Sequence, residues 1–207
     1  VMGRLLLVRH GQASFGAEDY DVLSPTGEEQ ARVLGRWLAE RVERPAAVVH
    51  GAMQRQLRTA EELTDAAGWS LTPSLAAGWD EIDHVDVLSR QPETPDYQDW
   101  FEVATQRWMS GDFDAEYRES FAGFAARVEA ALAAALEVDG LVVAVTSGGP
   151  ISWVCAGLLD AGLPTYRRLA RVVVNTGVTT VVTGRRGTNL LTFNDHAHLP
   201  ADLLTYR

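Results

Sequence analysis

Three short apolar runs divide this chain, at residues 4–9, 46–50 and 141–146, and each leads into a stretch with helical spacing. A continuous apolar run bounded by polar residues suits a strand buried on both faces, as in a parallel sheet. After the first run, Ser24-Pro25-Thr26-Gly27 opens a helix that carries Ala31, Leu34, Leu38 and Val42 on one stripe. After the second, residues 53–67 read as a helix stopped by Gly68. After the third, Gly148-Gly149-Pro150 leads into another helix, with proline in its first turn. Strand and helix alternate throughout, which predicts an α/β fold, a three-layer α/β/α arrangement with a mostly parallel central sheet.

Weaker signals fill the frame. Residues 70–75 predict a third short strand, 119–137 a long alanine-rich helix, and 172–174, 178–182 and 190–193 a strand-rich end. The length of 207 residues, without repeats or low-complexity linkers, predicts a single domain over 1–207 with an insert at about 78–118. The insert holds one helix near 96–110 and an aromatic set of Trp79, Tyr97, Trp100, Phe101 and Trp108. These rings either hold the insert to the body or line a pocket for a substrate with apolar or planar surface.

The charge balance narrows the partners. The formal net charge is −10, and with no lysine present every fixed side-chain cation is an arginine. Such a chain repels polyanions, which excludes nucleic acid as the main partner, while a local arginine cluster remains suited to a small phosphate ester. No apolar stretch is long enough to span a bilayer, and no signal peptide is recognisable, so the expectation is a cytoplasmic protein without a membrane partner. Cys155 is the lone cysteine, which excludes an internal disulfide. The late valines leave a monomer or a homodimer open.

In open α/β sheets, ligands bind beyond the carboxyl ends of the strands. The three apolar runs end at His10, His50 and Ser147, so all three are candidate site positions. Arg9-His10-Gly11 is the most informative of these. A neutral imidazole at His10 is a nucleophile for phosphorus, and nearby arginines favour the neutral form. Arg9 offers a planar fork for two phosphate oxygens, and Gly11 permits close backbone approach. Taken alone, a histidine at a strand end is more often a hydrogen-bonded core residue.

Arg9-His10-Gly11-Gln12 after a hydrophobic strand resembles the signature of the histidine phosphatase superfamily, whose fold is phosphoglycerate mutase-like. Further segments are similar in the family's order. Residues 23–31 resemble its Leu-Thr-x-x-Gly-x-x-Gln-Ala helix start, and 53–60 its Leu-x-Arg-Ala-x-Gln-Thr-Ala segment. Asn175-Thr176-Gly177-Val178-Thr179 and Asn194-Asp195-His196-Ala197-His198-Leu199 resemble late family segments. The resemblance implies a two-step phosphoryl transfer without metal or cofactor. His10 is the nucleophile, Arg9 and Arg55 hold the phosphate, and Glu81 is the acidic proton donor, with Asp80 and Asp83 as neighbouring rivals. The implied activity is hydrolysis of a small phosphomonoester.

The pattern also breaks. Where the family carries a second histidine after the strand, this chain has Ser147-Gly148-Gly149-Pro150. Serine donates one hydrogen bond but carries no charge. Loss of one well-placed donor costs on the order of 3 kcal/mol, roughly a hundredfold in rate. The helix start at Gly148 still offers N–H groups to an anion, and Ser147 is a candidate cap for it. Arg58 replaces a glutamine of the family pattern, and Gly16 replaces an asparagine and Gly51 a serine, two changes that count against mutase activity. His84, three residues after Glu81, and His50 are candidates to compensate for the missing histidine. His196 and His198 share a side if extended, but two ligands are too few for a metal site. A catalytically weak phosphate-binding or regulatory module on the same fold is the alternative, with phosphoglycerate mutase behind it.

Overall fold

A computed structural model describes residues 3–14 and 21–206. Gly16 lies outside the described residues. In chain order the elements are β1 (Arg4–Arg9), α1 (Pro25–Ala39), β2 (Ala47–His50), α2 (Gln54–Ala66), β3 (Ser74–Leu75), α3 (His84–Ser89), α4 (Tyr97–Met109), α5 (Phe121–Glu137), β4 (Leu141–Thr146), α6 (Gly148–Leu158), α7 (Leu163–Ala170), β5 (Val178–Gly184) and β6 (Gly187–Asp195). The chain forms two compact units, Val1–Glu81 with Ala131–Arg207, and Ile82–Ala130.

The first unit holds a six-stranded sheet in the order β3-β2-β4-β1-β5-β6. β1, β2, β3 and β4 run parallel, and the antiparallel β5 turns back into β6. The expected α/β architecture is therefore present, and its parallel part is the part the apolar runs predicted. Alternation along β1 divides the core. Leu6 and Val8 pack with Val143, Val145, Leu34 and Leu38 of α1 and Leu63 of α2. Leu5 and Leu7 point the other way and are fully buried, on the face where α6 lies against β1. α1 begins at Ser24, whose hydroxyl accepts the Gly27 N–H, with proline in the first turn. Gly35 lets α1 meet α2 closely, since a Cβ there would stand 2.3 Å from the Leu63 carbonyl oxygen.

Two expected strands differ from the structure. Of residues 70–75, only Ser74 and Leu75 pair with β2, because Pro73 has no N–H to give a ladder. Residues 172–174 form no strand. The Asn194 side chain takes their backbone groups instead, with Oδ1 accepting from Val174 N (2.8 Å) and Nδ2 donating to Val172 O (2.8 Å). The helix α7 is short, eight residues with proline in its first turn, and stands in addition to the elements expected from the sequence.

The second unit is helical. In it Tyr97 meets Trp100 edge-on and stacks with Phe101, while Trp108 packs edge-on against Phe121 and Phe124. Indole N–H groups find backbone partners, Trp100 at Gln91 O and Trp108 at Glu119 O. Asp86 is buried, which works against its charge, yet the Arg118 N–H and the Arg90 guanidinium outweigh burial and lower its pKa.

Candidate active site

Register places the site. Arg9 of β1 is opposite Thr146 of β4, so His10 and Ser147 are the next residues beyond two adjacent parallel strands. The His10 N–H donates to Thr146 O (2.9 Å) and closes the ladder there. From this point β1 leads to α1 on one face of the sheet and β4 to α6 on the other. Diverging connections between neighbouring strands open a crevice at their carboxyl ends.

The imidazole of His10 has a defined tautomer. Arg55 Nε always donates, and it lies 3.1 Å from His10 Nε2, so Nε2 carries the lone pair. Nδ1 then carries the proton and donates to Gly11 O at 2.7 Å. Burial first, then the charges of Arg55 and Arg9, hold the pKa of His10 well below the usual histidine value, against a small upward pull from the Gly11 carbonyl. His10 is thus neutral at physiological pH, with its Nε2 lone pair accepting from Arg55.

The two arginines are anchored from behind. Arg9 Nη1 donates to the carbonyls of Val173 and Tyr206, the latter at 3.0 Å. Arg55 Nη1 pairs with Asp21 Oδ1 at 2.7 Å, and Asp21 Oδ2 accepts from Gln54 N at the start of α2. Arg55 is itself buried, so its guanidinium direction is set by these bonds.

Conserving the position of His10 falls to a buried polar network. The Gly11 N–H donates to Thr59 Oγ1, which donates in turn to Arg55 O. A Cβ on Gly11 would come within 2.4 Å of Gly27 O, so only glycine lets β1's end touch the start of α1. Asn175 Nδ2 donates to His10 O, and Thr176 N to Arg9 O. Thr176 has φ 58°, an uncommon conformation for a β-branched residue, and it is held by bonds from several sides. Its hydroxyl donates to Asn175 O and so accepts from His198 Nε2 (3.1 Å). Gln30 ties in the last segment, accepting from Gln12 N and donating to Leu203 O and Thr205 Oγ1.

Ser147 is buried beside His10, but its hydroxyl does not cap α6. It accepts a hydrogen bond from Gln56 Nε2 at 2.9 Å. The first turn of α6 is capped by Glu81, whose Oε2 accepts the Gly149 N–H at 3.0 Å. A Cβ on Gly149 would fall 2.1 Å from Glu81 Oε1, so the glycine makes room for the carboxylate. Gly148 is the first residue of α6. The rivals of Glu81 are engaged elsewhere. Asp80 accepts from Ala52 N, and Asp83 caps α3 within the second unit. His50 repeats the arrangement of His10, with Nδ1 2.7 Å from Gly51 O, at the end of β2. His84 belongs to the second unit, where it is the first residue of α3. His196 and His198 have separate partners, Asn194 O and Thr176, and no group of three or more His, Cys, Asp or Glu among the described residues is placed to hold a metal ion.

A sequence profile of the histidine phosphatase superfamily (branch 1) matches residues 5–196. The chain belongs to the histidine phosphatase superfamily. Its fold recurs in a phosphoserine phosphatase of Entamoeba histolytica solved with phosphoserine, at TM-score 0.70 and 21% identity over 96% of this chain and all 100% of that one. A phosphoglycerate mutase of Bacillus anthracis superposes with TM-score 0.70 and 18% identity over 95% of each chain. At these identities the likeness is one of fold. A 2,3-bisphosphoglycerate-dependent phosphoglycerate mutase of Thermobifida fusca is 42% identical over 79 residues, 35% of this chain. That match spans about a third of the relative's length, 32%.

Within this superfamily member six of the candidate residues lie in one unit: Arg9, His10, Ser147 and Gly148 at the ends of β1 and β4, Arg55 in the first turn of α2 and bonded to His10, and Glu81 bonded to the first turn of α6. Sequence reasoning gave no role to Gln56, Thr59, Asp21, Asn175 or Gln30. Thr59, Gln30 and Asn175 stand inside motifs that were already visible, so their position in the pattern was the available signal. Gln56 was visible as a departure from the family's alanine. Asp21 carries no sequence signal beyond an acidic loop.

Proposed function

We propose that this protein hydrolyses a small phosphomonoester through a phosphohistidine on His10. The observation that carries the proposal is the neutral His10, with its Nε2 lone pair directed at Arg55. In the resting protein the Arg55 N–H occupies that lone pair. A phosphate drawn in by Arg55 and Arg9 takes over the arginine's donors and leaves Nε2 facing phosphorus. The lone pair then forms the P–N bond while the ester P–O bond breaks. Its electron pair stays on the leaving oxygen, which takes a proton from Glu81 in its acid form. In the second step Glu81, now a carboxylate, removes a proton from water. The water oxygen bonds phosphorus, and the P–N electron pair returns to Nε2. Charge on the transferring oxygens is met by the arginines and by the N-terminal end of α6.

A second reading, a phosphate-binding module with little turnover, draws on the replacement of the family's second histidine by Ser147. Phosphate release from p-nitrophenyl phosphate separates the two. Hydrolysis predicts steady release by wild type that falls to the background rate in His10→Ala. Equal release by both proteins, together with retained binding of inorganic phosphate, would favour the module.

A further inference from the structure

Gln56 stands where the family pattern has alanine, and it is fully buried. Two backbone groups fix the orientation of its amide. Oε1 faces the Met53 N–H at 3.3 Å, and Nε2 faces the Trp79 carbonyl at 3.3 Å. The flipped amide would set a donor against a donor and a carbonyl against a carbonyl, so this orientation alone is satisfied. Nε2 is therefore the group 2.9 Å from Ser147 Oγ, and toward Gln56 the serine hydroxyl can only accept. No bond from this hydroxyl reaches an acceptor among the described residues. Its proton is left to be donated from a position beside His10.

The surrounding departures fit one another. A Cβ at Gly51 would lie 2.2 Å from Gln56 Oε1, so Gln56 requires glycine where the family has serine. Its amide in turn reaches Ser147, where the family has histidine. Gly51, Gln56 and Ser147 are three replacements that make one packed unit.

We propose that Gln56 is a positioning residue that turns the Ser147 hydroxyl into a directed, uncharged donor to the phosphoryl group on His10, in the place of the second histidine. This rests on the proposed phosphohistidine chemistry and adds to it the identity and direction of the missing donor. An amide that donates to a hydroxyl polarises its O–H bond and strengthens the bond it makes in turn. Without the amide, nothing fixes the direction of the hydroxyl, and its proton is no longer committed to the phosphoryl oxygen.

The test compares wild type, Ser147→Ala, Gln56→Met and the double variant, by p-nitrophenyl phosphate turnover and by orthovanadate binding in a titration calorimeter. Ser147→Ala is expected to lower kcat by about a hundredfold with KM little changed, as for one lost transition-state donor. Gln56→Met, which touches no substrate, is expected to lower kcat with KM unchanged. The double variant should then be no slower than Ser147→Ala, because both remove the same donated bond. Orthovanadate affinity should follow the same order. Full kcat in Ser147→Ala, or losses that multiply in the double variant, would overturn the proposal while leaving His10 chemistry intact. If Gln56→Met does not fold, Ser147→Ala decides alone, since the amide there keeps the Trp79 carbonyl. If wild type and His10→Ala turn over equally, the hydrolase reading fails, and orthovanadate affinity still decides whether Ser147 donates. An affinity unchanged in Ser147→Ala overturns it.

Discussion

The behaviour of His10 is set by three neighbours, and one of them can be removed without touching the ring's backbone. Arg55 fixes the lone pair on Nε2 and holds the pKa down by its charge, second only to burial. In Arg55→Met the His10 pKa should move up toward the ordinary histidine value. Imidazole resonances followed by NMR across a pH titration of the resting protein would report it, and an unmoved or lowered midpoint would contradict the assigned cause. The same substitution frees Asp21 from its ion pair, leaving a carboxylate near the anion site and weakening phosphate binding further. Much of this was legible in the sequence. Arg9 and His10 end an apolar run, and Arg55 stands in a segment that resembles the superfamily's pattern, so all three were singled out there. The tautomer was not legible, because it depends on the distance between Arg55 Nε and His10 Nε2, residues far apart in the chain.

At the scale of elements, the site depends on where β1 and β4 stop and on which helix follows each. The apolar runs predicted both strands, since a strand buried on both faces needs no partner information to be recognised. The strand expected at 172–174 failed for a reason outside its own residues. Asn194, some twenty positions later, satisfies its backbone with a side chain. The cap of α6 shows the same limit. Ser147 has the right type for a cap, but Gln56 competes for its hydroxyl and Glu81 takes the helix N-terminus. These contacts also bear on restoring the family's histidine. Ser147→His drives a larger side chain into the buried Gln56 amide, and overpacking of this kind costs roughly 1–3 kcal/mol. The single variant should lose stability in a denaturant titration and gain no activity. Adding Gln56→Ala, the family's residue, should recover the stability and raise turnover. A single variant as stable as wild type would show that the Ser147 surroundings are looser than the described packing.

Taken whole, the molecule places its long-range polar groups behind the site, and this makes its stability sensitive to acid. His198 donates from Nε2 to Thr176 and leaves Nδ1 buried without a partner among the described residues. Burial chiefly, with the charge of His196, lowers its pKa to about 4, although Asp195 pulls the other way. A histidine with a depressed folded-state pKa contributes stability that is present above its unfolded value near 6.5 and lost as pH falls through about 4. Thermal unfolding of His198→Gln should therefore lose less between those limits than wild type, and an equal or steeper loss would reassign the acid sensitivity. The sequence displayed His198 inside a late motif but not its link to Thr176, which the positive φ of that residue creates. Through Thr176 and Asn175 this network meets the backbone of Arg9 and His10, so the far end of the chain supports the residue on which the proposed function depends. The most direct test of that function is to quench a turnover mixture with labelled phosphomonoester and analyse the protein by mass spectrometry. The account predicts an acid-labile phosphoryl group on His10, absent in His10→Ala. Turnover without any phosphoryl group on His10 would contradict it.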